Sequence, residues 1–81
     1  MEPSALRYAI LRLVDAHEAT GTSAYLEDIQ IASALDEDLP VVQRQLVMME
    51  NRGLLDLAKT MGPTYAARMT PDGMEALEAI G

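Results

Sequence analysis

The 81-residue sequence has no cysteine, no long apolar run and no basic segment at its start. Without cysteine, disulfide bonds and thiolate metal sites are excluded. A transmembrane helix needs ~20 consecutive apolar residues, and no stretch approaches that length. The opening residues, MEPSALR, lack the basic region and the apolar block of a secretory signal. We therefore expect a cytoplasmic protein.

The motifs that catalysis or metal binding requires are also missing. The sequence contains one histidine, His17, and neither a glycine-rich phosphate loop nor a zinc-binding helix motif. Glu27 and Asp28 are neighbours, so on a helix they diverge instead of sharing a proton. The acidic run at 36–38 lacks the glycine and the distal glutamate of a calcium loop. We expect no catalytic residue, no metal site and no cofactor, and hence no enzyme.

Positive charge is scarce, with 6 lysines and arginines against 13 acidic residues and a net charge of −7. A strongly acidic chain repels phosphate groups at long range. The charges are nevertheless segregated along the chain. Residues 1–38 carry a net charge of −6 and residues 71–81 one of −3, whereas residues 39–70 carry +2. The only positive segment is the middle of the chain.

About half of the residues, 49%, are apolar, and the chain is long enough for one core. We therefore expect a single domain over residues 1–81. Apolar residues at helical spacing predict three helices in the first two-thirds of the chain. The first would begin after a cap at Ser4 and end at Gly21, the second would run over roughly 26–35, and the third over 39–52.

The remaining segments predict strands and a last helix. The stretch TSAYL, residues 22–26, is expected to pair as an edge strand. Residues 54–69 alternate between apolar and polar on either side of a tip at 60–63, which is the period-two pattern of a hairpin. Thr70 can cap a last helix with Pro71 in its first turn. The predicted fold class is α+β, mainly α, in the order α1-β1-α2-α3-β2-β3-α4. The expected core consists of Leu6, Ile10, Leu13, Ile29, Leu35, Val42, Leu46, Leu55 and Leu77.

One set of residues forms a frame through the second half of the chain. Its members are Leu26-Glu27-Asp28-Ile29, Leu35, Val42, Leu46, Met49-Glu50, Gly53-Leu54-Leu55 and Met69-Thr70-Pro71-Asp72-Gly73. This frame resembles the winged helix-turn-helix family, and especially its small bacterial transcriptional regulators. The resemblance extends over residues 6–80.

The resemblance implies that the helix at 39–52 lies in a DNA major groove and that the hairpin at 54–69 is the wing along the backbone. Arginine fits the edge of guanine and glutamine that of adenine, so Gln43 and Arg44 are the candidates for base readout. Cations on the helix end and the hairpin are candidates for phosphate contacts. The full set of candidate DNA-binding residues is Val41, Gln43, Arg44, Val47, Arg52, Lys59 and Arg68.

A few phosphate contacts per chain are too weak for useful affinity, so a DNA-binding function would require a dimer with two half-sites. Related regulators commonly dimerise through their terminal helices. The resemblance therefore implies a homodimer, and the apolar positions of the last helix that would form its interface are Met74, Leu77 and Ile80.

A protein partner is the alternative to DNA. Val41, Val47 and Met48 place apolar side chains on the outward side of the third helix, where they need a partner or additional packing. Methionine suits adaptable protein interfaces, because its side chain is flexible and polarisable. The acidic run at 36–38 lies beside the start of this helix and would repel DNA. The sequence leaves both hypotheses open.

Overall fold

The mainly helical α+β architecture and its order are the predicted ones. The computed structural model describes residues 1–21, 25–59 and 63–80. None of the helices among these residues is long and apolar enough to cross a membrane. The elements in chain order are α1 (Pro3–Ala19), β1 (Leu26–Glu27), α2 (Asp28–Leu35), α3 (Leu39–Asn51), β2 (Leu55–Lys59), β3 (Tyr65–Met69) and α4 (Pro71–Ile80).

The three strands form an antiparallel sheet in the order β1-β3-β2. The β2–β3 hairpin pairs Leu55 with Met69 at its base and Lys59 with Tyr65 at its far end. Residues 60–62 of the predicted hairpin tip lie outside the described residues, as do residues 22–24 of the predicted edge strand.

The second helix begins two residues after its approximate predicted start at residue 26. Leu26 and Glu27 are extended because they pair with Ala67 and Ala66 of β3, and α2 begins only at Asp28. A strand of two residues is too short to show the alternation of apolar and polar residues, so its bounds cannot be predicted from the sequence.

The cap of α1 is Glu2, not Ser4 as predicted. The Glu2 carboxylate accepts hydrogen bonds from the backbone N–H groups of Ser4 and Ala5, both at 3.1 Å, and from the Ser4 hydroxyl. These bonds hold the pKa of the Glu2 carboxyl below its usual range, and the bond from the Ser4 backbone N–H contributes most. Because folding lowers this pKa, the stability that the cap contributes is complete when the pH is above the ordinary pKa of the carboxyl. It is lost as the pH falls through the lowered pKa.

The hydrophobic core lies between α1, α2, α3 and the sheet. The predicted core residues Leu13, Leu35 and Leu77 are only half-buried and pack at its edge. The large apolar side chains that are fully buried are Leu6, Ile10, Val14, Ile31, Val42, Leu46, Met49 and Leu55.

The prediction that Ile29 belongs to the core is wrong, because 56% of its surface is exposed. The buried positions of α2 are Asp28, Ile31 and Ala32. Ile29 follows Asp28 by one residue, which is a rotation of about 100° around the helix. The buried side of α2 therefore begins with a carboxylate, a residue type that apolar periodicity does not detect.

The turn after α3 has the hydrogen bonds of a Schellman motif. The Leu54 N–H donates to the carbonyl of Met49 at 2.9 Å, and the Gly53 N–H donates to that of Glu50 at 2.9 Å. Gly53 has a φ of 77°, a left-handed conformation that glycine adopts without steric cost. This turn directs the chain from the end of α3 into β2.

The sequence Thr70-Pro71-Asp72-Gly73 connects the start of α4 to that turn. The Thr70 hydroxyl accepts a hydrogen bond from the Gly73 N–H at 2.9 Å, so Thr70 caps α4 as predicted. The same hydroxyl donates to the Gly53 carbonyl at 2.6 Å. Gly73 is buried, and a Cβ atom at this position would collide with the backbone carbonyl oxygen of Leu54. The glycine is therefore required by close backbone packing.

We expect the substitution Gly73→Ala to lower the free energy of unfolding by about 2 kcal/mol, as overpacking of a tight site does. Helix propensity alone favours the opposite sign, because alanine stabilises a helix interior by about 1 kcal/mol relative to glycine. Thermal unfolding followed by circular dichroism measures the change. Glu75→Ala, at an exposed position of the same helix, is the control and should change little. A stabilised Gly73→Ala variant would contradict the packing argument.

Candidate functional site

The two sides of α3 have different environments. Val42, Leu46 and Met49 are fully buried, whereas Arg44 is exposed on the opposite side. Arg44 forms no ion pair or hydrogen bond with any of the described residues. Its guanidinium group is therefore available to a ligand.

Gln43, predicted to read bases beside Arg44, makes internal contacts. Its side-chain amide nitrogen donates to the Asp28 carboxylate at 2.8 Å and to the Pro63 carbonyl at 3.0 Å. Both N–H groups of the amide are thus used within the protein, which leaves the amide oxygen as the part that a ligand can reach. Gln43 joins α3 to the far end of the β2–β3 hairpin.

Asp28 is the acceptor at the centre of these contacts. Its side chain is fully buried at the first residue of α2. One carboxylate oxygen, Oδ2, accepts hydrogen bonds from Gln43 and from the backbone N–H of Tyr65, the latter at 3.0 Å. The other oxygen, Oδ1, has no hydrogen-bond partner among residues 1–21, 25–59 and 63–80. One carboxylate therefore connects α2, α3 and β3.

The two predicted phosphate-binding residues of the hairpin differ in their surroundings. Lys59 is exposed at the end of β2 and has no ion-pair partner in the described part of the chain. Arg68 donates to Asp56 at 3.1 Å across the strand pair, and its guanidinium carbon lies 5.2 Å from the centre of the Tyr25 ring. The Asp56 carboxylate partly neutralises Arg68, so Lys59 is the freer cation. Arg52, the third candidate, is exposed at the end of α3.

The apolar candidates on α3 are not equally accessible. Val41 is 39% exposed, whereas Val47 and Met48 are half-buried. On α4, Ile80 is 62% exposed. Met74 is half-buried and Leu77 packs against the core. Among the apolar residues proposed for partner contacts, Val41 and Ile80 therefore offer the most surface.

Three polar residues of the site region have roles that sequence reasoning missed. The first is Asp28, described above. The second, Gln45, is only 9% exposed, and its side-chain amide oxygen accepts a hydrogen bond from Arg7 of α1 at 3.2 Å. The Glu50 carboxylate accepts the backbone N–H of Leu57 at 3.2 Å. This bond satisfies a donor of β2, an edge strand of the sheet. The Met49-Glu50 pair of the family frame was the only sequence signal for Glu50, and Gln45 had none.

Acidic residues lie directly before α3. Asp36 and Asp38 are exposed and Glu37 is half-buried. Asp36 ends α2 with a left-handed φ of 54°. Asp38 takes the capping position of α3, although its side chain makes no capping hydrogen bond. Arg44 follows Asp38 by six residues and thus lies close in sequence to a local source of negative potential.

No protein-family model and no curated protein matches this chain. Among solved structures, the chain is similar to a "putative DNA-binding protein" from Ralstonia eutropha JMP134. The two have a TM-score of 0.75 and 19% sequence identity, and the similarity covers 99% of this chain and 96% of the other. At this identity the similarity establishes a shared fold.

Proposed function

We propose that this chain is a winged helix-turn-helix domain that binds duplex DNA as a small transcriptional regulator. In this proposal α3 enters the major groove and the β2–β3 hairpin is the wing. The supporting observation is the position of Arg44, an exposed and unpaired cation on the side of α3 opposite to its buried apolar residues. The shared fold with a "putative DNA-binding protein" adds support. No catalytic group or cofactor takes part, and a regulator of this kind would act in the cytoplasm.

The candidate residues have different tasks in this proposal. Arg44 reads a guanine edge, for which a bidentate arginine is the commonest partner. The exposed Val41 contacts a thymine methyl group, with Val47 beside it. Arg52 and Lys59 contact phosphates, and Arg68 contributes less because Asp56 holds it. Gln43 offers a base only its amide oxygen, because both N–H groups are used internally.

A second copy of the chain completes the proposal. Each unpaired cation that meets a phosphate adds about 0.9 to the slope of log affinity against log salt, so two or three per chain give weak binding. Two copies on two half-sites double these contacts. The exposed Ile80 and the half-buried Met74 of α4 are the residues proposed for the contact between copies, with Leu77 beneath them.

A protein-binding function is the second candidate. The observation in its favour is the exposure of Val41, at 39%, on a chain with a net charge of −7. Val47 and Met48, however, are half-buried and enlarge this patch little. Docking surfaces are contiguous apolar areas of several hundred Å², whereas this patch consists mainly of Val41. The exposed cation Arg44 therefore makes DNA the better-supported ligand.

The first prediction concerns Arg44. We expect Arg44→Ala to weaken binding by about tenfold and to relax the base preference at one position, because a bidentate arginine–guanine pair contributes about 1–3 kcal/mol of discrimination. The duplex is first selected from a random library with the wild-type protein, and fluorescence anisotropy then measures affinity. Arg12→Ala, which removes an exposed arginine from α1, is the matched control and should bind like the wild type. Equal losses in both variants would contradict base readout, and no duplex binding at low salt would favour the protein partner.

The second prediction concerns the acidic residues before α3. We expect the double variant Asp36→Asn/Asp38→Asn to bind the selected duplex about three- to fivefold more tightly at low salt, because it removes two charges near the phosphates. Glu75→Gln/Glu78→Gln changes the net charge equally on α4, which packs against α1. The control pair should have a smaller effect. If both pairs strengthened binding equally, only the net charge would matter, and the proposed placement of α3 would be wrong.

A further inference from the structure

The hydrogen bonds of Asp28, Gln43, Pro63 and Tyr65 form what we call the Asp28–Gln43 bridge. We infer that this bridge holds the β2–β3 hairpin in a fixed position against α3, and that the two elements therefore bind a ligand as one unit. The second half of this inference rests on the proposed DNA-binding function. The first half concerns the free protein alone.

The bridge lies where three elements converge. Asp28 directly follows β1, and β1 pairs with β3, so the carboxylate is placed beside the start of β3. From there it accepts both the Gln43 amide at 2.8 Å and the Tyr65 backbone N–H at 3.0 Å. Gln43 continues the connection to the Pro63 carbonyl at 3.0 Å. Each side of the bridge is thus attached to the end of the hairpin that is remote from the turn at Gly53.

The hairpin is also attached to α3 nearer its base, at the middle residue of β2. The Glu50 carboxylate accepts the Leu57 N–H at 3.2 Å. Gln43 and Glu50 are seven residues apart, which is about 10 Å along a helix. Pairing with β1 and burial of Leu55 and Ala67 in the core already hold the base and middle of the hairpin, whereas its far end needs a point of attachment of its own to α3. The Asp28–Gln43 bridge supplies that point.

The burial of Asp28 supports a positioning role. A carboxylate is costly to bury, and one oxygen of Asp28 finds no hydrogen-bond partner in the described segments. An apolar residue at this position would fill the core without that cost. The specific benefit of the carboxylate is directional: it accepts from α3 and from β3 at the same oxygen. In some proteins, such buried polar groups are retained because they specify one arrangement of elements and not because they add stability.

The bridge lies between the cations proposed to contact DNA. Gln43 immediately precedes Arg44 on α3, and Tyr65 is the cross-strand partner of Lys59. Fixing Gln43 relative to Tyr65 therefore fixes Arg44 on α3 relative to Lys59 on β2. If the hairpin pivoted freely, Lys59 could not meet a phosphate at a set distance from the groove that Arg44 enters.

The test uses Gln43→Met, which keeps the side-chain length and removes both N–H donors. The matched control is Gln45→Met, the same substitution two residues further along α3, where the lost hydrogen bond joins Arg7 and not the hairpin. Amide hydrogen exchange is measured by NMR on the free proteins. We expect Gln43→Met to accelerate exchange of the Tyr65 amide by about tenfold or more, and Gln45→Met to leave it unchanged. Unchanged exchange in Gln43→Met would overturn the inference.

The second readout is a double-mutant cycle with Lys59→Ala on the selected duplex. We expect Lys59→Ala to weaken DNA binding in the wild type and in Gln45→Met, but to have little further effect in Gln43→Met. If Gln43 supported the fold without positioning Lys59, the substitution Lys59→Ala would weaken DNA binding in Gln43→Met as much as in the wild type. That result would overturn the coupling. A wild-type protein that binds no duplex would refute the proposed function instead, while the exchange experiment would still decide whether the bridge holds the hairpin.

Discussion

The burial of one side of α3 determines what this protein can offer to a partner. Val42, Leu46 and Met49 have no exposed surface, and their spacing of four and three residues places them on one side of the helix. Rotating α3 to present different residues would expose all three and would cost several kcal/mol of hydrophobic stabilisation. The outward position of Arg44 is therefore a consequence of the core and not an independent property of the surface.

The connections at the two ends of α3 fix the position of that helix relative to the hairpin and to α4. After α3, Gly53 turns the chain into β2, and Thr70 bonds the same turn to the start of α4. At the other end of the hairpin, Gln43 contacts Asp28 and Pro63. The first connection uses backbone geometry and the second uses side chains. Local rules of turns and caps explain the former, whereas only the three-dimensional structure reveals the latter.

This difference explains which features could be predicted from the sequence. The third helix, the hairpin and the Thr70 cap were predicted because helical spacing, strand alternation and capping motifs are local patterns. The exposure of Ile29 and the contacts of Gln43 were missed, because both follow from the buried Asp28. Its hydrogen bonds reach 15 residues along the chain to Gln43 and 37 residues to Tyr65. No pattern within a single element encodes contacts at that separation.

The net charge of −7 is a weaker argument against DNA binding than it seems from composition. At physiological ionic strength the screening length is about 8 Å, whereas the molecule measures 33 × 29 × 22 Å. Charges on the far side of the molecule are therefore largely screened from a ligand at α3. The acids that matter are those at the start of the helix, namely the exposed Asp36 and Asp38. Asp38 is six residues, about 9 Å along the helix, from Arg44, whereas Arg52 lies at the opposite end of α3, about 21 Å away. Affinity in such an arrangement depends on where each charge lies, so two chains of equal net charge can differ widely in their binding of DNA.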